Sequence, residues 1–143
     1  MLMLWSLAAF GLSPTDTIVG TWVLKSIYPT ANVEGPSLSE QRQLIGSKIV
    51  IDVSRLHSCG QSVPIRSRVM HKLGADQFLF ATHVRLYEMG ISRRTVTEIV
   101  LNNREAGTCF GSFPVPGQLL FLKTKNELVV DFEGTFYRAV RVN

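Results

Sequence analysis

The sequence has few of the groups that carry out catalysis. Its 143 residues include three histidines, two cysteines and eleven carboxylates, and no Gly-x-Ser-x-Gly elbow marks a nucleophilic serine. No glycine-rich loop follows a strand and opens a helix, as a phosphate-binding loop requires. His57 and Cys59 have a metal-like spacing, but no recognisable pattern supplies further ligands. We therefore expect a protein that is not an enzyme and has no metal or cofactor.

Charged residues are also sparse, at 18% of the chain with a net charge of +4. Many arginines are scattered along predicted strands and loops, with no aromatic residues interleaved as in nucleic-acid-binding stripes; they include Arg66, Arg68, Arg85, Arg93, Arg94 and Arg104. This distribution predicts a basic solvated surface and argues against nucleic-acid binding. Two carboxylates, Asp131 and Glu133, are two residues apart beside a predicted turn, where we expect them to be solvated.

The apolar stretch at residues 1–12 is too short to span a bilayer. Its length suits the apolar core of a secretory signal, and Ala9-Phe10-Gly11 has the small-x-small pattern of a cleavage site, although no Lys or Arg precedes it. The alternative is an N-terminal helix that packs on or into the folded domain. We therefore assign residues 1–13 to a signal peptide or an N-terminal helix, and residues 14–143 to one domain.

The two cysteines, Cys59 and Cys109, lie in turn-rich stretches. An even count is typical of proteins from oxidising compartments. A bridge would close a loop of about 50 residues and contribute on the order of 4 kcal/mol to stability. The alternative is two separate buried thiols.

The remaining pattern is dominated by short strands. One short helix is predicted from Ser37 to Ile45, because Ser37 and Glu40 form a capping box and Gly46 can end the helix. We predict strands over residues 18–28, 48–53 with a continuation to 59, 63–71, 77–87, 94–101, 118–124, 127–132 and 135–142. Strands joined by short turns indicate an antiparallel sandwich or an up-and-down barrel, and exclude a βαβ architecture.

Two separated features carry a family resemblance. Gly20-Thr21-Trp22 on the first strand and Arg141 on the last one resemble the lipocalin and wider calycin pattern, and the chain is similar to small secreted bacterial lipocalin-like proteins of unassigned function. The resemblance implies that the Arg141 guanidinium packs on the Trp22 indole; Arg138 is the alternative if the register shifts. The chain departs from lipocalins in ending directly after the last strand, without a C-terminal helix.

The resemblance implies an all-β, antiparallel up-and-down β-barrel of eight or nine strands, with one short helix after the first strand. It implies a secreted or periplasmic monomer, without a membrane span, that binds a small apolar or amphipathic ligand. The alternative is a periplasmic protein-interaction barrel that inhibits a protease or lysozyme through the loops Pro29–Pro36 and Ala106–Gly117.

Aromatic side chains from several strands are the candidate ligand-binding residues, with an arginine for an anionic head group. They are Trp22, Tyr28, Phe78, Phe80, Tyr87, Phe121, Phe132 and Phe136, together with Arg141. In a barrel these aromatic residues are expected to share one interior. Such an interior is either filled by side chains or holds one small ligand.

Overall fold

A computed structural model describes residues 16–30, 35–102 and 108–142. The signal or helix predicted at residues 1–13 lies outside the described residues, as do residues 31–34 and 106–107 of the two predicted inhibitory loops. The described chain is mostly antiparallel β-structure, which confirms the all-β class.

The secondary structure consists of eleven strands and two helices within these ranges. The strands are β1 Gly20–Ile27, β2 Lys48–Ile51, β3 Arg55–Ser58, β4 Gln61–Pro64, β5 Ser67–Gly74, β6 Thr95–Asn102, β7 Thr108–Cys109, β8 Phe113–Pro114, β9 Leu119–Thr124, β10 Glu127–Phe132 and β11 Thr135–Val142. The helices are α1 Leu38–Gln43 and α2 Ala75–Thr82, and 3-10 turns cover Asp16–Ile18 and Leu86–Met89.

Nine strands form one sheet in the order β4-β3-β2-β1-β11-β10-β9-β6-β5, while β7 and β8 form a separate two-stranded ribbon. The first strand pairs with the last, and most strands that follow one another along the chain are neighbours in the sheet. β4 and β5 form the two edges of the sheet. The sheet is therefore a curled half-barrel with the up-and-down strand order predicted from the sequence.

Both faces of the sheet carry apolar side chains, which is visible along β10. Leu128, Val130 and Phe132 belong to a cluster inside the curl, whereas Val129 belongs to a second cluster on the outer face. Because successive side chains on a strand point to opposite faces, a run of apolar residues requires cover on both sides. The segment from α2 through the Leu86–Met89 turn supplies part of that cover on the outer face.

The strand predicted over residues 77–87 is wrong, because this segment forms α2 and the Leu86–Met89 turn. The Gly74 backbone N–H donates to Gln77 Oε1 at 2.8 Å, and the Thr82 hydroxyl donates to the Phe78 carbonyl at 2.7 Å. The helix buries Phe78 completely and leaves Phe80 87% exposed. The structure thus has a second helix in addition to the single one predicted.

Helix α1 confirms the predicted capping box. The Glu40 N–H donates to Ser37 Oγ at 3.2 Å, and the Ser37 N–H donates to Glu40 Oε1 at 3.0 Å. Gly46 follows with a φ of +87°, a conformation that favours glycine. The helix is shorter than the predicted Ser37–Ile45 segment.

The two cysteines form the Cys59–Cys109 disulfide, which decides between the two alternatives left by the sequence. The bridge joins the end of β3 to β7, and the Gln61 side-chain amide also donates to the Thr108 carbonyl. The β7–β8 ribbon is therefore fastened to the β3–β4 hairpin. In the described part of the chain, no helix is long and apolar enough to cross a membrane.

Candidate functional site

The Trp22–Arg141 contact joins the first and last strands of the sheet. Trp22 and Arg141 are register partners on β1 and β11, and the guanidinium carbon lies 4.2 Å from the centre of the indole ring. Arg141 Nη1 donates to the Val19 carbonyl at 2.8 Å, and Nη2 donates to the Thr17 carbonyl. The charge is therefore stacked on the ring and held by backbone oxygens, as the predicted pairing requires.

Gly20 makes this contact sterically possible. A Cβ atom at this position would lie 2.6 Å from Arg141 Nη1, and the φ of Gly20 is +146°, which is unfavourable for other residues. Arg138, the alternative partner, donates from Nε to Glu127 Oε1 at 2.5 Å instead. The Gly-x-Trp spacing thus allows the guanidinium to pass over the glycine and reach the indole.

Side chains pack around most of Trp22, which also contributes to the lining of a pocket of about 240 Å³. Trp22 is 1% exposed, and its indole N–H donates to the Ile18 carbonyl at 2.8 Å. Tyr137 fills another part of the interior, and its hydroxyl donates to the Gln41 carbonyl at 2.6 Å. Burial raises the pKa of Tyr137 to about 12, so this hydroxyl stays protonated and continues to donate at neutral pH.

The structure divides the predicted aromatic set among three places. Trp22 and Phe132 lie in the inner cluster, where Tyr137 joins them. Members of the outer cluster are Phe78, Phe121 and Phe136, with Tyr28 packed against them. Phe80 and Tyr87 are exposed. The prediction that these aromatic residues share one interior is therefore wrong, because α2 and the packing of both sheet faces separate them.

A pocket of about 470 Å³ lies beside the turn between β10 and β11. We call it the turn pocket; its lining includes Phe113, Val115, Gln118, Leu119, Asp131, Phe132 and Glu133. Phe113 and Phe132 meet edge to face, with 6.2 Å between ring centres. The pocket therefore has an aromatic wall and carboxylates in one open concavity.

Asp131 is the carboxylate with the most unusual environment in this pocket. Burial raises the pKa of its carboxyl from 3.8 to about 6, while the backbone N–H of Gly134, which donates to Oδ1 at 2.9 Å, acts in the opposite direction. The charges of Glu133 and Glu98 raise the pKa further. The expectation that Asp131 is solvated was therefore wrong.

Gln118 lines the pocket and also has a buried amide donor without a partner among the described residues. Its Nε2 atom is buried, and within the described ranges nothing accepts a hydrogen bond from it. A buried donor without a partner costs about 1 to 3 kcal/mol.

Sequence reasoning did not find the turn pocket. The segment Phe113–Gly117 reads as a connection, and nothing in it shows that it packs beside the β10–β11 turn. The sequence features that point to this pocket are Phe113 in a Pro-rich connection and a carboxylate next to a tight turn. That combination becomes a pocket only through the tertiary contact between the two segments.

Other candidate chemistry is weaker. The His57 ring lies 3.3 Å from an Asp52 carboxylate oxygen, and both side chains are exposed. Among the described residues, no group of three or more His, Cys, Asp or Glu side chains could hold a metal ion.

Comparison with known proteins adds no assignment. No family model, curated protein or solved structure matches this chain. The functional argument therefore depends on the geometry of the chain itself.

Proposed function

We propose that the protein binds a small amphipathic amine in the turn pocket. The observation that carries this proposal is that Asp131, a half-buried carboxylate, and the aromatic pair Phe113–Phe132 line one concavity of about 470 Å³. Small-molecule sites are typically concave and mostly apolar, with a few placed polar groups. Trp22 is 1% exposed, and the pocket that it lines is smaller, at about 240 Å³, which favours the turn pocket as the binding site.

The charge of the pocket favours a cationic head group. Its lining includes Asp131 and Glu133 and, among the residues that the structure describes, no Lys or Arg, although the chain as a whole has a net charge of +4. With a pKa of about 6, Asp131 is mostly ionised at neutral pH and is only partly hydrated. A ligand ammonium group would replace lost hydration with a charge-assisted hydrogen bond.

The apolar lining suits the rest of such a ligand. Phe113 and Phe132 can contact an alkyl or aromatic group, and Val115 and Leu119 extend the apolar surface. An ammonium group close to either ring would also gain a cation–π contact.

Arg141 is not the head-group partner in this proposal. Its guanidinium donates to the Thr17 and Val19 carbonyls and stacks on Trp22. An anionic ligand would have to compete with these contacts, and we therefore propose a cationic head group instead of an anionic one.

The proposal is tested by titrating the protein at pH 7.5 with octylamine, octanoate and octanol, which share a chain and differ in the head group. Isothermal calorimetry is expected to detect octylamine binding that is tighter than that of the other two. Asp131→Asn is expected to weaken octylamine binding about 10- to 100-fold, because it removes a charged hydrogen-bond acceptor.

Asp76→Asn is the matched control, since Asp76 is an exposed carboxylate outside the turn pocket. It should leave octylamine binding unchanged. Equal binding of octylamine and octanoate, or undiminished binding by Asp131→Asn, would contradict the proposal.

Inhibition of a protease or lysozyme is the second candidate function. The observation in its favour is that the disulfide and the Gln61–Thr108 hydrogen bond fasten the β7–β8 ribbon, and a preorganised loop binds a partner at lower entropic cost. Activity assays of lysozyme and of trypsin-like and subtilisin-like proteases with added protein test it. Stoichiometric inhibition that is lost when Phe110 and Ser112 are replaced by glycine would support it, and undiminished enzyme activity in all assays would reject it.

A further inference from the structure

Residues 75–94 form an insertion that is longer than the sheet requires. Gly74 on β5 and Thr95 on β6 are already register partners, so a tight turn would be enough to connect them. The insertion covers the outer cluster with Phe78, Leu86 and Met89. Its other side faces solvent. Cover of the outer cluster does not explain which residues are found on that exposed side.

The solvent side of the insertion exposes two large aromatic side chains. Phe80 on α2 is 87% exposed and Tyr87 in the following 3-10 turn is 71% exposed. Aromatic residues and arginine are enriched in protein–protein interfaces and among their energetically dominant residues. Exposed aromatic side chains beside arginines therefore indicate a contact surface.

A second pocket of about 290 Å³ lies on this side, and we call it the helix pocket. Leu79, Leu86, Tyr87 and Ile91 contribute apolar surface to its lining. Leu86 and Ile91 are buried, which anchors the pocket to the outer cluster. A pocket of this size accommodates one or two apolar side chains of a partner.

Three arginines give the helix pocket the opposite charge to the turn pocket. The described lining includes three arginines and one carboxylate, which are Arg85, Arg93, Arg94 and Asp76. A second carboxylate, Glu88, follows the lining residue Tyr87 in the sequence. Arg93 donates to the Leu122 and Lys123 carbonyls, both at 2.9 Å, and so has a role in the fold. The lining carries a net formal charge of +2 from three arginines and one aspartate.

We infer that this surface docks an acidic segment of a partner protein, with an aliphatic or aromatic side chain of that segment inserted into the helix pocket. Charge complementarity selects the acidic segment, and the apolar base of the pocket selects its anchor residue. A protein segment is favoured over a small anionic ligand because Phe80, four residues after the lining residue Asp76 on α2, is on the same side of the helix and offers an exposed apolar contact outside the pocket. This site is independent of the ligand proposed for the turn pocket.

The inference is tested by selecting a random 12-residue peptide library displayed on phage against the immobilised protein. The most enriched peptide is then synthesised with a fluorescein label, and its affinity is measured by fluorescence anisotropy. The expected result is enrichment of Asp and Glu around one aliphatic or aromatic residue. Lack of such enrichment would overturn the inference.

Surface variants locate the binding. We expect each of three substitutions to lower the affinity for the selected peptide at least about tenfold: Phe80→Ser, Arg85→Glu and Arg94→Glu. The control is Arg42→Glu, at an exposed arginine on α1, which should change this affinity less than about twofold. These residues are exposed, and unchanged melting curves will show that the variants are folded. Equal affinity for wild-type protein and the three variants would overturn the inference. Octylamine should not displace the peptide, which separates this test from that of the turn pocket.

Discussion

At residue scale, the most constrained contact is the passage of the Arg141 guanidinium over Gly20 to the Trp22 ring. Three backbone and side-chain requirements coincide there: the φ of +146° at Gly20, the clash that a Cβ would make with Nη1, and the stacking distance of 4.2 Å. The sequence motif predicted this pair with Arg138 as the alternative partner, and the antiparallel register of β1 and β11, in which Trp22 lies opposite Arg141, decides for Arg141.

Gly20→Ala is expected to destabilise the protein by about 1 to 3 kcal/mol through overpacking, with additional backbone strain. Gly60→Ala is the control, since Gly60 also has a positive φ of +69° but a Cβ there would meet nothing within 4 Å. Urea unfolding should show the larger loss for Gly20→Ala. The loss should also shrink in an Arg141→Ala background, where the clash is absent. An equal cost in both backgrounds would contradict the steric account.

Asp131 gives a pH dependence of stability. Its folded pKa of about 6 is above the ordinary 3.8, so the unfolded state loses this proton first and stability falls as the pH rises from about 4 to about 6. Above pH 6 the ionised carboxyl costs about 2 to 3 kcal/mol. Asp131→Asn should therefore unfold at a higher temperature than wild type at pH 8, with a smaller difference at pH 4. Calorimetric melting at both pH values checks this prediction. A difference in melting temperature between variant and wild type that is the same at pH 4 and pH 8 would refute it.

The environment of Asp131 could not be predicted from the sequence. A carboxylate beside a tight turn is usually solvated, and its burial here depends on packing of the 113–118 segment against the β10–β11 turn. This contact joins residues that are not strand neighbours, so periodicity carries no information about it. The same reason explains why the turn pocket was missed.

At element scale, the hairpins were predictable and α2 was not. The turns at Lys125-Asn126 and Glu133-Gly134 separate short runs of apolar and β-branched residues, and the observed bounds of β10 agree with the prediction. The apolar residues of segment 77–87 are spaced in a way that fits a strand, but the same spacing also fits a helix that packs one face on the sheet. Tertiary packing on the outer cluster decides between the two.

Phe78 and Phe80 distinguish helix from strand at this segment. Phe78→Ala is expected to cost about 3 to 5 kcal/mol, because the ring is fully buried and lies 5.0 Å from the Phe121 ring. Phe80→Ala should change the free energy of unfolding by less than about 0.5 kcal/mol. Similar costs for both substitutions, measured by urea unfolding, would favour the strand, in which the two rings share one face.

At the scale of the whole molecule, the sequence predicts the class and strand order, but not the state of the interior. The pairing of β1 with β11 follows from the Trp22 and Arg141 motif, whereas the half-barrel curl depends on how the β4 and β5 edges approach each other. The apolar content of the strands fits a filled or a hollow barrel equally well. Packing of both faces, including cover of the outer one by α2, is a property of the complete fold.

The disulfide acts at this scale because it joins parts of the chain 50 residues apart. Replacing both Cys59 and Cys109 by alanine is expected to lower stability by about 2 to 5 kcal/mol, since the unfolded chain gains freedom. Dithiothreitol should lower the melting temperature of wild type and leave that of the double variant unchanged. A wild-type melting temperature that does not respond to the reductant would show that the bridge contributes little.

Our central claim is that a ligand amine binds in the turn pocket and not inside the curl. Amide chemical shifts of ¹⁵N-labelled protein titrated with octylamine at pH 7.5 test it most directly. The predicted result is that the largest shifts occur at residues 113–119 and 131–134 and disappear in Asp131→Asn. Largest shifts at Trp22, Leu24 and Ile49, which line the interior, would contradict the claim.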